Sequence, residues 1–343
     1  MDAEWLWAGC YTGDQGDGDG VYLLRRRGDG TLEDPVLTAG AQNPSWLAVH
    51  PRHTVLYAVG ENDPGAVSVY VEETDGLLLA GTRELPAEPC HLAVAPDGRT
   101  LLAACYAGGA VAAIPLAPDG TFAGDPDIAV CSGSGPKTDR QDGAHPHSVA
   151  WAPDGTVLAA DLGADVLRAF RADGGRLLPV GEARVPAGYG PRHLAVHPAG
   201  FVYVICELEP RLLVLTPRAS YADLAVTAES PATAADPGAD ALGSGIALGA
   251  DGTFAYTTTR GPDVLTAHRV ADGGAVLAPV ADVPTGGSWP RDLHVDDPWV
   301  HVANERGGGV TTFRLGADGV PVPKGTAAAV PTPVCLVGAP GFS

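Results

Sequence analysis

Pro-Cys-His-Leu-Ala-Val at residues 89–94 and Pro-Arg-His-Leu-Ala-Val at residues 191–196 are two copies of a short apolar phrase. Seven copies occur along the chain, and they start at Pro44, Pro89, Pro146, Pro191, Gly243, Pro290 and Pro333. The intervals between successive starts are 45, 57, 45, 52, 47 and 43 residues. A repeat of this length built from strands is typical of a β-propeller, in which each copy begins one blade.

Turns between apolar runs support this interpretation and show how the ring closes. Asp-Gly pairs, the strongest short signal for a β-hairpin, recur at 97–98, 119–120, 154–155, 251–252 and 318–319. The last repeat, 333–338, supplies a first strand, after which the chain soon stops. The first 43 residues supply second and third strands, at Trp5–Gly9 and Val21–Arg25, with no first strand before them. The two ends therefore complete one blade.

The sequence thus predicts an all-β fold, a seven-bladed β-propeller whose N- and C-terminal strands close one shared blade. We expect residues 1–343 to form a single domain, since a closed array of repeats counts as one. Residues 217–242, rich in Ala, Ser, Pro and Asp, depart from the pattern and predict a surface excursion.

Composition restricts the partners. The 343 residues carry a net charge of −20, which opposes binding to nucleic acid or to anionic membranes. No run of 18 apolar residues exists, and the N-terminus lacks a basic segment followed by an apolar stretch. We expect a cytoplasmic protein with a small-molecule partner. A closed ring has no edge that demands a partner, so the expected state is a monomer or weak oligomer.

Polar residues collect where first and second strands of each blade meet. The two strands run antiparallel, so the start of one lies beside the end of the other. One residue after the repeat starts stand Ser45, Cys90, His147, Arg192, Ser244, Arg291 and Val334. The next places hold Trp46, His91, Ser148, His193, Gly245, Asp292 and Cys335. The second strands end at Tyr11, Glu61, Tyr106, Leu162, Glu207, Arg260 and Glu305. Because the strand interiors are apolar, this charged ring predicts a site at one mouth of the channel.

Within the ring, His147, Arg192, Glu207 and Arg260 fall on three successive blades and combine a base, an acid and anion-holding groups. Hydrolysis of a lactone needs a base to activate water and donors to hold the oxyanion. Either Glu207 or His147 would take the proton from water, and the arginines would hold an anion. The predicted substrate-binding residues around them are Glu61, Tyr106, His145, His193, Arg291 and Glu305.

Other chemistries find little support. Gly-Ser-Gly-Pro-Lys-Thr at 133–138 has a proline that breaks the order of a phosphate-binding loop. No Gly-x-Ser-x-Gly elbow of a serine hydrolase is present. The six cysteines show no CxxC spacing, and the histidines show no metal-ligand spacing beyond the pair His145 and His147.

Over its whole length the chain resembles the seven-bladed propeller lactonase family, which includes 6-phosphogluconolactonases of this type and fungal carboxymuconate lactonizing enzymes. The likeness is carried by short motifs at the strand ends: Asn43-Pro-Ser45, Tyr106-Ala-Gly-Gly109, Arg140-Gln141, His145-Pro-His147-Ser148, Gly190-Pro-Arg-His193, Glu207-Leu208, Thr259-Arg260-Gly261 and Asn304-Glu305. The resemblance implies no required metal or cofactor. It places the family's catalytic histidine at His147, its arginines at Arg192 and Arg260 and its glutamate at Glu207, with Arg140 added to the substrate-binding set.

Three functions remain open from the sequence. The first is a lactonase that hydrolyses a sugar-derived lactone, with 6-phosphogluconolactone as the nearest precedent. The second is a cycloisomerase or lyase that forms or opens a lactone on a carboxylate substrate and needs no water. The third is a binding propeller without catalysis, because this architecture hosts many unrelated functions.

Overall fold

The computed structural model describes residues 5–73, 76–173 and 175–339 and is built almost entirely of strands. Two 3₁₀ turns, Gly13–Gln15 and Asp272–Gly274, accompany them. The strands in the described ranges are β1 Trp5–Cys10, β2 Gly20–Arg25, β3 Val36–Gly40, β4 Leu47–Val49, β5 Val55–Gly60, β6 Gly65–Glu73, β7 Gly76–Leu85, β8 Pro89–Val94, β9 Thr100–Cys105, β10 Ala110–Pro115, β11 Asp127–Val130, β12 Pro146–Trp151, β13 Thr156–Asp161, β14 Val166–Asp173, β15 Arg176–Arg184, β16 Pro191–Val196, β17 Val202–Cys206, β18 Arg211–Pro217, β19 Leu224–Pro231, β20 Leu242–Leu248, β21 Phe254–Arg260, β22 Val264–Ala271, β23 Val276–Pro284, β24 Ser288–Asp296, β25 Trp299–Gly307, β26 Gly309–Leu315, β27 Pro321–Ala328 and β28 Pro333–Gly338.

These strands form seven four-stranded antiparallel sheets, which are the blades of the propeller. Blade 1 has the strand order β28-β1-β2-β3, and blades 2 to 7 follow in chain order from β4 onward. The first strands of neighbouring blades contact one another in the cyclic order β4, β8, β12, β16, β20, β24, β28 and back to β4. The predicted seven-bladed propeller with a shared closing blade is therefore confirmed. Its assignment to a single domain, residues 1–343, stays a prediction.

Ring closure rests on the pairing of β28 with β1, which joins Leu6 to Gly338, Trp7 to Val337 and Ala8 to Leu336. Each blade thus has its fourth strand and its first strand in place, including the one assembled from both chain ends. One expectation was wrong: the segment 217–242 is not simply a surface excursion. It contains β19, the outermost strand of blade 5, which pairs with β18 along its whole length.

The apolar core of the described residues is divided into seven clusters, and each lies between two neighbouring blades. Strand β9 shows why its sequence is apolar at every position. Leu101, Ala103 and Cys105 pack toward blade 2. Leu102 and Ala104 pack toward blade 4. Because successive side chains of a strand point to opposite faces, a strand buried on both faces needs an unbroken apolar run.

In the described part of the chain, the inner strands β8, β12, β16, β24 and β28 each contain a β-bulge one residue after the repeat start. In β16, Pro191 pairs with Cys206 and His193 pairs with Ile205, so Arg192 is an extra residue without an opposite partner. The same register shift makes Cys90, His147 and Arg291 the extra residues of β8, β12 and β24. A bulge redirects a side chain that a regular strand would point the other way. No described helix is long and apolar enough to cross a membrane.

The blade-closing strand should be essential for stability. Leu336 is 5% exposed and packs with Leu6 and Ala8 in the cluster between blades 7 and 1. We expect Leu336→Ala to lower the free energy of unfolding by about 2–5 kcal/mol, the usual cost of such a cavity. Urea unfolding followed by circular dichroism measures it. Leu79→Ala on the exposed face of β7, where Leu79 is 52% exposed, is the control and should change stability by less than about 0.5 kcal/mol. Equal stability of the Leu336 variant and wild type would contradict closure through β28.

Candidate active site

The polar strand ends converge on one mouth of the channel, as their positions in the repeat predict. Tyr11 of blade 1 donates a hydrogen bond to Glu61 of blade 2 at 3.1 Å. Arg291 of blade 7 donates to the Tyr11 hydroxyl at 2.7 Å. Residues 50 to 280 positions apart in the chain are thereby in direct contact. The mouth holds two linked charge clusters, one around Glu207 and one around Arg291.

Glu207 is the centre of the first cluster, and its carboxylate binds three guanidinium groups. Its Oε2 accepts a hydrogen bond from Arg192 Nε and forms an ion pair with Arg260 Nη2, both at 2.9 Å. Its Oε1 accepts from Arg140 Nη2. Glu207 and Arg192 are each 2% exposed, and Arg260 is 3% exposed. The site residues predicted at 140, 192, 207 and 260 are therefore in contact, although they come from blade 5, blade 6 and the loop before blade 4.

The charge state of Glu207 follows from this arrangement. Burial alone would raise the pKa of Glu207, since it penalises the charged form. Arg260, Arg192, His147 and Arg140 together outweigh burial and hold its pKa well below the ordinary value. Glu207 is consequently a firmly ionised carboxylate and a poor proton acceptor, whose evident task is to hold the arginines.

The arginines around Glu207 are further fixed by backbone carbonyls. Arg192 Nη1 donates to Ser244 O at 3.0 Å and lies 3.1 Å from His193 Nε2. Arg260 Nη2 donates to Gly243 O at 2.8 Å. Among the described residues, Nη2 of Arg192 and Nη1 of Arg260 have no hydrogen-bond partner. The buried Nε of Arg260 also lacks a partner, so three nitrogen donors remain on two guanidiniums that bind the same carboxylate oxygen.

Arg291 is the centre of the second cluster. Its guanidinium lies 5.3 Å from the ring centroid of Tyr11, and its Nη1 lies 3.5 Å from Glu305 Oε2. Burial raises the pKa of Glu61, against the opposing effects of Arg291 and of the hydrogen bond from Tyr11. The predicted residues Glu61, Arg291 and Glu305 therefore form one network around Tyr11, which joins them as a further member.

His147 lies beside the Glu207 cluster. It is 6% exposed, and its ring meets Tyr106 edge-on at 5.6 Å. Its Nδ1 lies 4.0 Å from Cys90 Sγ, whereas its Nε2 forms no hydrogen bond with another described residue. Burial, aided mainly by Arg192, lowers the pKa of His147 well below its ordinary value. The imidazole is therefore neutral at neutral pH, as a proton acceptor must be.

His145 has a different setting. Its ring stacks on Tyr106 with a centroid separation of 4.5 Å. Its Nδ1 lies 3.0 Å from Tyr106 O, and its Nε2 lies 2.9 Å from Asp142 Oδ1. Both ring nitrogens thus have partners, so His145 supports Tyr106 while His147 keeps a nitrogen available.

A cluster of aromatic rings lies next to His147. His193 meets His147 and His91 edge-on, each at 5.3 Å, and Trp46 stacks on His91 at 4.0 Å. Sequence reasoning included His193 but left out His91 and Trp46, although both occupy the same repeat position as His193. Burial lowers the pKa of His193 well below its ordinary value and that of His91 to about 3. Among the described residues, no group of three or more His, Cys, Asp or Glu is arranged to hold a metal ion.

Trp289 and Arg306 extend the network and were also missed from sequence. The Trp289 indole lies 5.5 Å from the Arg260 guanidinium and 3.6 Å from that of Arg306. Their positions in the repeat could have indicated both residues, because Trp289 directly precedes the repeat start Pro290 and Arg306 directly follows Glu305.

The stabilising role of Glu207 has a testable pH dependence. Because its pKa is lowered by folding, its contribution is complete above the ordinary value of 4.5 and is lost as pH falls below it. We expect Glu207→Gln to cost about 3–5 kcal/mol at pH 7, since it leaves buried guanidiniums without their counter-ion. The difference from wild type should shrink between pH 4.5 and pH 3 in unfolding experiments. Glu209→Gln, at a half-exposed neighbour paired only loosely with Lys137, is the control. A pH-independent difference would contradict the assignment.

Comparison with known proteins places this site in a family. Residues 5–338 match the family model described as lactonase, 7-bladed beta-propeller. The chain is 30% identical to the 6-phosphogluconolactonase of Bacillus subtilis, over 96% of this chain and 97% of that protein. A crystal structure from Lactobacillus plantarum superposes with a TM-score of 0.91 at 27% identity, covering 98% of this chain and 99% of the other. The periplasmic gluconolactonase of Pseudomonas aeruginosa gives 0.88 at 26% identity, covering 97% and 98%. The chain belongs to the seven-bladed β-propeller lactonase family, and is thereby an enzyme of the carboxylic-ester hydrolase class.

Proposed function

We propose that the protein hydrolyses a sugar-derived lactone at the mouth described above, with 6-phosphogluconolactone as the nearest precedent. The observation that carries the proposal is the buried carboxylate of Glu207, which holds Arg192 and Arg260 side by side next to a neutral His147. The names of the relatives, 6-phosphogluconolactonase and gluconolactonase, support the substrate class.

The first step is activation of water. His147 Nε2 takes a proton from the water that attacks the lactone carbonyl carbon. Glu207 is the weaker candidate for this role because both of its oxygens are bound by guanidiniums and its pKa is held low. A base that is neutral at neutral pH and has one nitrogen without a partner meets the requirement.

The second step is stabilisation of the charge that develops. The carbonyl oxygen becomes an oxyanion, and the remaining N–H donors of Arg192 and Arg260 bind it. Donors fixed in advance in a buried site stabilise such a charge without reorganising during the reaction. The ring C–O bond then breaks, and the imidazolium of His147 returns its proton to the leaving alkoxide. The products are an alcohol and a carboxylic acid in one open chain, and the acid loses its proton to solvent to give the carboxylate.

Attraction of an anionic substrate follows from the charges at the mouth. The two clusters hold four arginines and three carboxylates, which leaves one excess positive charge. The arginines are Arg140, Arg192, Arg260 and Arg291; Glu207 and Glu305 pair with them, and Glu61 binds Tyr11 beside Arg291. The rest of the protein is strongly acidic. A local cationic site in a negative surface directs anions to this mouth and gives no general affinity for polyanions.

The setting of the enzyme is part of the proposal. We expect it to act in the cytoplasm as a monomer or weak oligomer, with the substrate as its partner and neither nucleic acid nor membrane. The net charge of −20 supports this, and cell fractionation with light scattering of the purified protein tests it. Recovery in the periplasm, where one relative resides, would overturn the location.

Replacing the proposed base should remove most activity. We expect His147→Gln to lower kcat about 10²- to 10⁴-fold on an aldonolactone, the usual contribution of a general base. The wild-type kcat/KM should fall only when pH drops well below 6.5, since the pKa of His147 is lowered and the neutral form is active. His53→Gln, at an exposed histidine between strands of blade 2, is the control. Wild-type kcat in the His147 variant would remove the base from the mechanism.

Isotope labelling separates hydrolysis from isomerisation. In ¹⁸O-labelled water, hydrolysis places one labelled oxygen in the product carboxylate, which mass spectrometry detects. The substrates are phosphorylated and unphosphorylated aldonolactones and muconolactones, with the enzyme-free reaction as control. Turnover without incorporation would replace the lactonase by a cycloisomerase or lyase. Absence of turnover on every lactone would overturn the proposed function.

A further inference from the structure

Arg306 is the outermost cation of the mouth and has no strong partner. The central carbon of its guanidinium lies 3.6 Å from the ring centroid of Trp289, and its side chain is 57% exposed. Its nearest carboxylate is Glu305 at 3.6 Å, which is longer than the 2.7–2.9 Å typical of charge-assisted hydrogen bonds. Arg306 forms no hydrogen bond with any other residue in the described ranges. Glu305 also faces Arg291 at 3.5 Å, so its one charge is divided between two arginines.

Trp289 holds Arg306 in place, and it does so from a strained conformation. Its φ angle is 62°, a left-handed value that is rare for a bulky residue and costs free energy. The backbone N–H donates to Asp263 Oδ1 at 2.9 Å, which fixes the conformation. The same indole lies 5.5 Å from Arg260. A strained aromatic residue is thus placed between an arginine of the buried cluster and an arginine at the rim.

The space beside Arg306 can accept part of a ligand. A cleft of about 570 Å³ is lined by the segments 15–17, 304–309 and 330–332. Gly307, directly after Arg306, has open space where a side chain would be, and Arg306 is the only cation among the described lining residues. Asp17 and Glu305 are the lining carboxylates. Arg306 thus lines this cleft and also packs on Trp289, whose indole lies 5.5 Å from the Arg260 guanidinium.

We propose that Arg306, held on Trp289, binds a second anionic group of the substrate, a phosphate monoester remote from the reacting carbonyl. This inference rests on the proposed function, in which Arg192 and Arg260 bind the carbonyl end. Both guanidiniums lie within 6 Å of one indole centroid, a separation that one phosphorylated sugar lactone spans. Arginine suits the role because its planar group binds phosphate with two parallel hydrogen bonds while it stacks on an aromatic ring. Arg306 would then determine specificity without taking part in bond breaking.

The test compares phosphorylated and unphosphorylated lactones in Arg306→Gln. For 6-phosphogluconolactone we expect KM to rise about 10- to 100-fold, the range for a hydrogen bond to a charged group, with kcat changed less than about 3-fold. For gluconolactone both constants should stay within about 2-fold of wild type. Arg306→Lys, which keeps the charge but loses the planar stack, should lie between. Arg184→Gln on the outer strand β15, another exposed arginine paired with a glutamate, is the matched control.

A binding measurement tests the proposed phosphate site without relying on lactone turnover. Titration calorimetry with the product acids should show that wild type binds 6-phosphogluconate more tightly than gluconate, and that Arg306→Gln abolishes the difference. The preference should also weaken as salt rises from 50 to 300 mM, because an exposed charge is screened. Equal binding of the two acids by wild type, or an unchanged preference in Arg306→Gln, would overturn the proposal even if lactone hydrolysis is found. Absence of all lactone turnover would instead overturn the proposed function, while the calorimetry still decides the phosphate site.

Discussion

The pairing of β28 with β1 is the contact on which the rest of the molecule depends. It joins residues more than 300 positions apart and converts a row of blades into a ring. Since the core is divided among the seven blade interfaces, blades 1 and 7 each lack one of their two interfaces until the ring is closed. Closure also brings the first strand of every blade to the central channel. The contacts of Tyr11 with Glu61 and Arg291, which link blades 2, 1 and 7 at the mouth, depend on this shared blade.

The bulges convert this ring into a site. In a regular strand Arg192 and His193 would point to opposite faces of the sheet, each toward a different neighbouring blade. The extra residue in β16 allows both to contact each other, with Arg192 Nη1 3.1 Å from His193 Nε2. The same device in β12 and β24 places His147 and Arg291 at the mouth. The repeat therefore gives the inner strands equivalent places in the ring. The bulges in β12, β16 and β24 then direct polar side chains to the mouth.

Much of this was predictable, and the part that was not has a physical reason. The repeat gave the blades and identified the polar strand ends, because periodicity and turn chemistry are local properties of a sequence. It did not show that Glu207 binds three arginines, since that depends on rotamers and on Arg140 in an irregular loop. The outer strand β19 was mistaken for an excursion because only one face of such a strand is buried and its composition is mixed. Trp289 was not predicted as a site residue because its contacts with the arginines depend on a left-handed backbone that a tryptophan seldom adopts.

The order of the charges from the interior to the rim explains how one site can both fix and select a ligand. Arg192 and Arg260 are almost fully buried and bound to Glu207, so they cannot follow a ligand and are little screened by salt. Such groups suit the reacting end, where a shift of the donors would weaken stabilisation of the oxyanion. Arg306 is exposed and held mainly by stacking, so it can meet groups of differing reach. Relatives with the same buried cluster but another residue at the rim would then share the reaction and differ in the substrate. In the proposed mechanism the reaction and its selectivity are carried by different arginines, and Trp289 is the residue that contacts both.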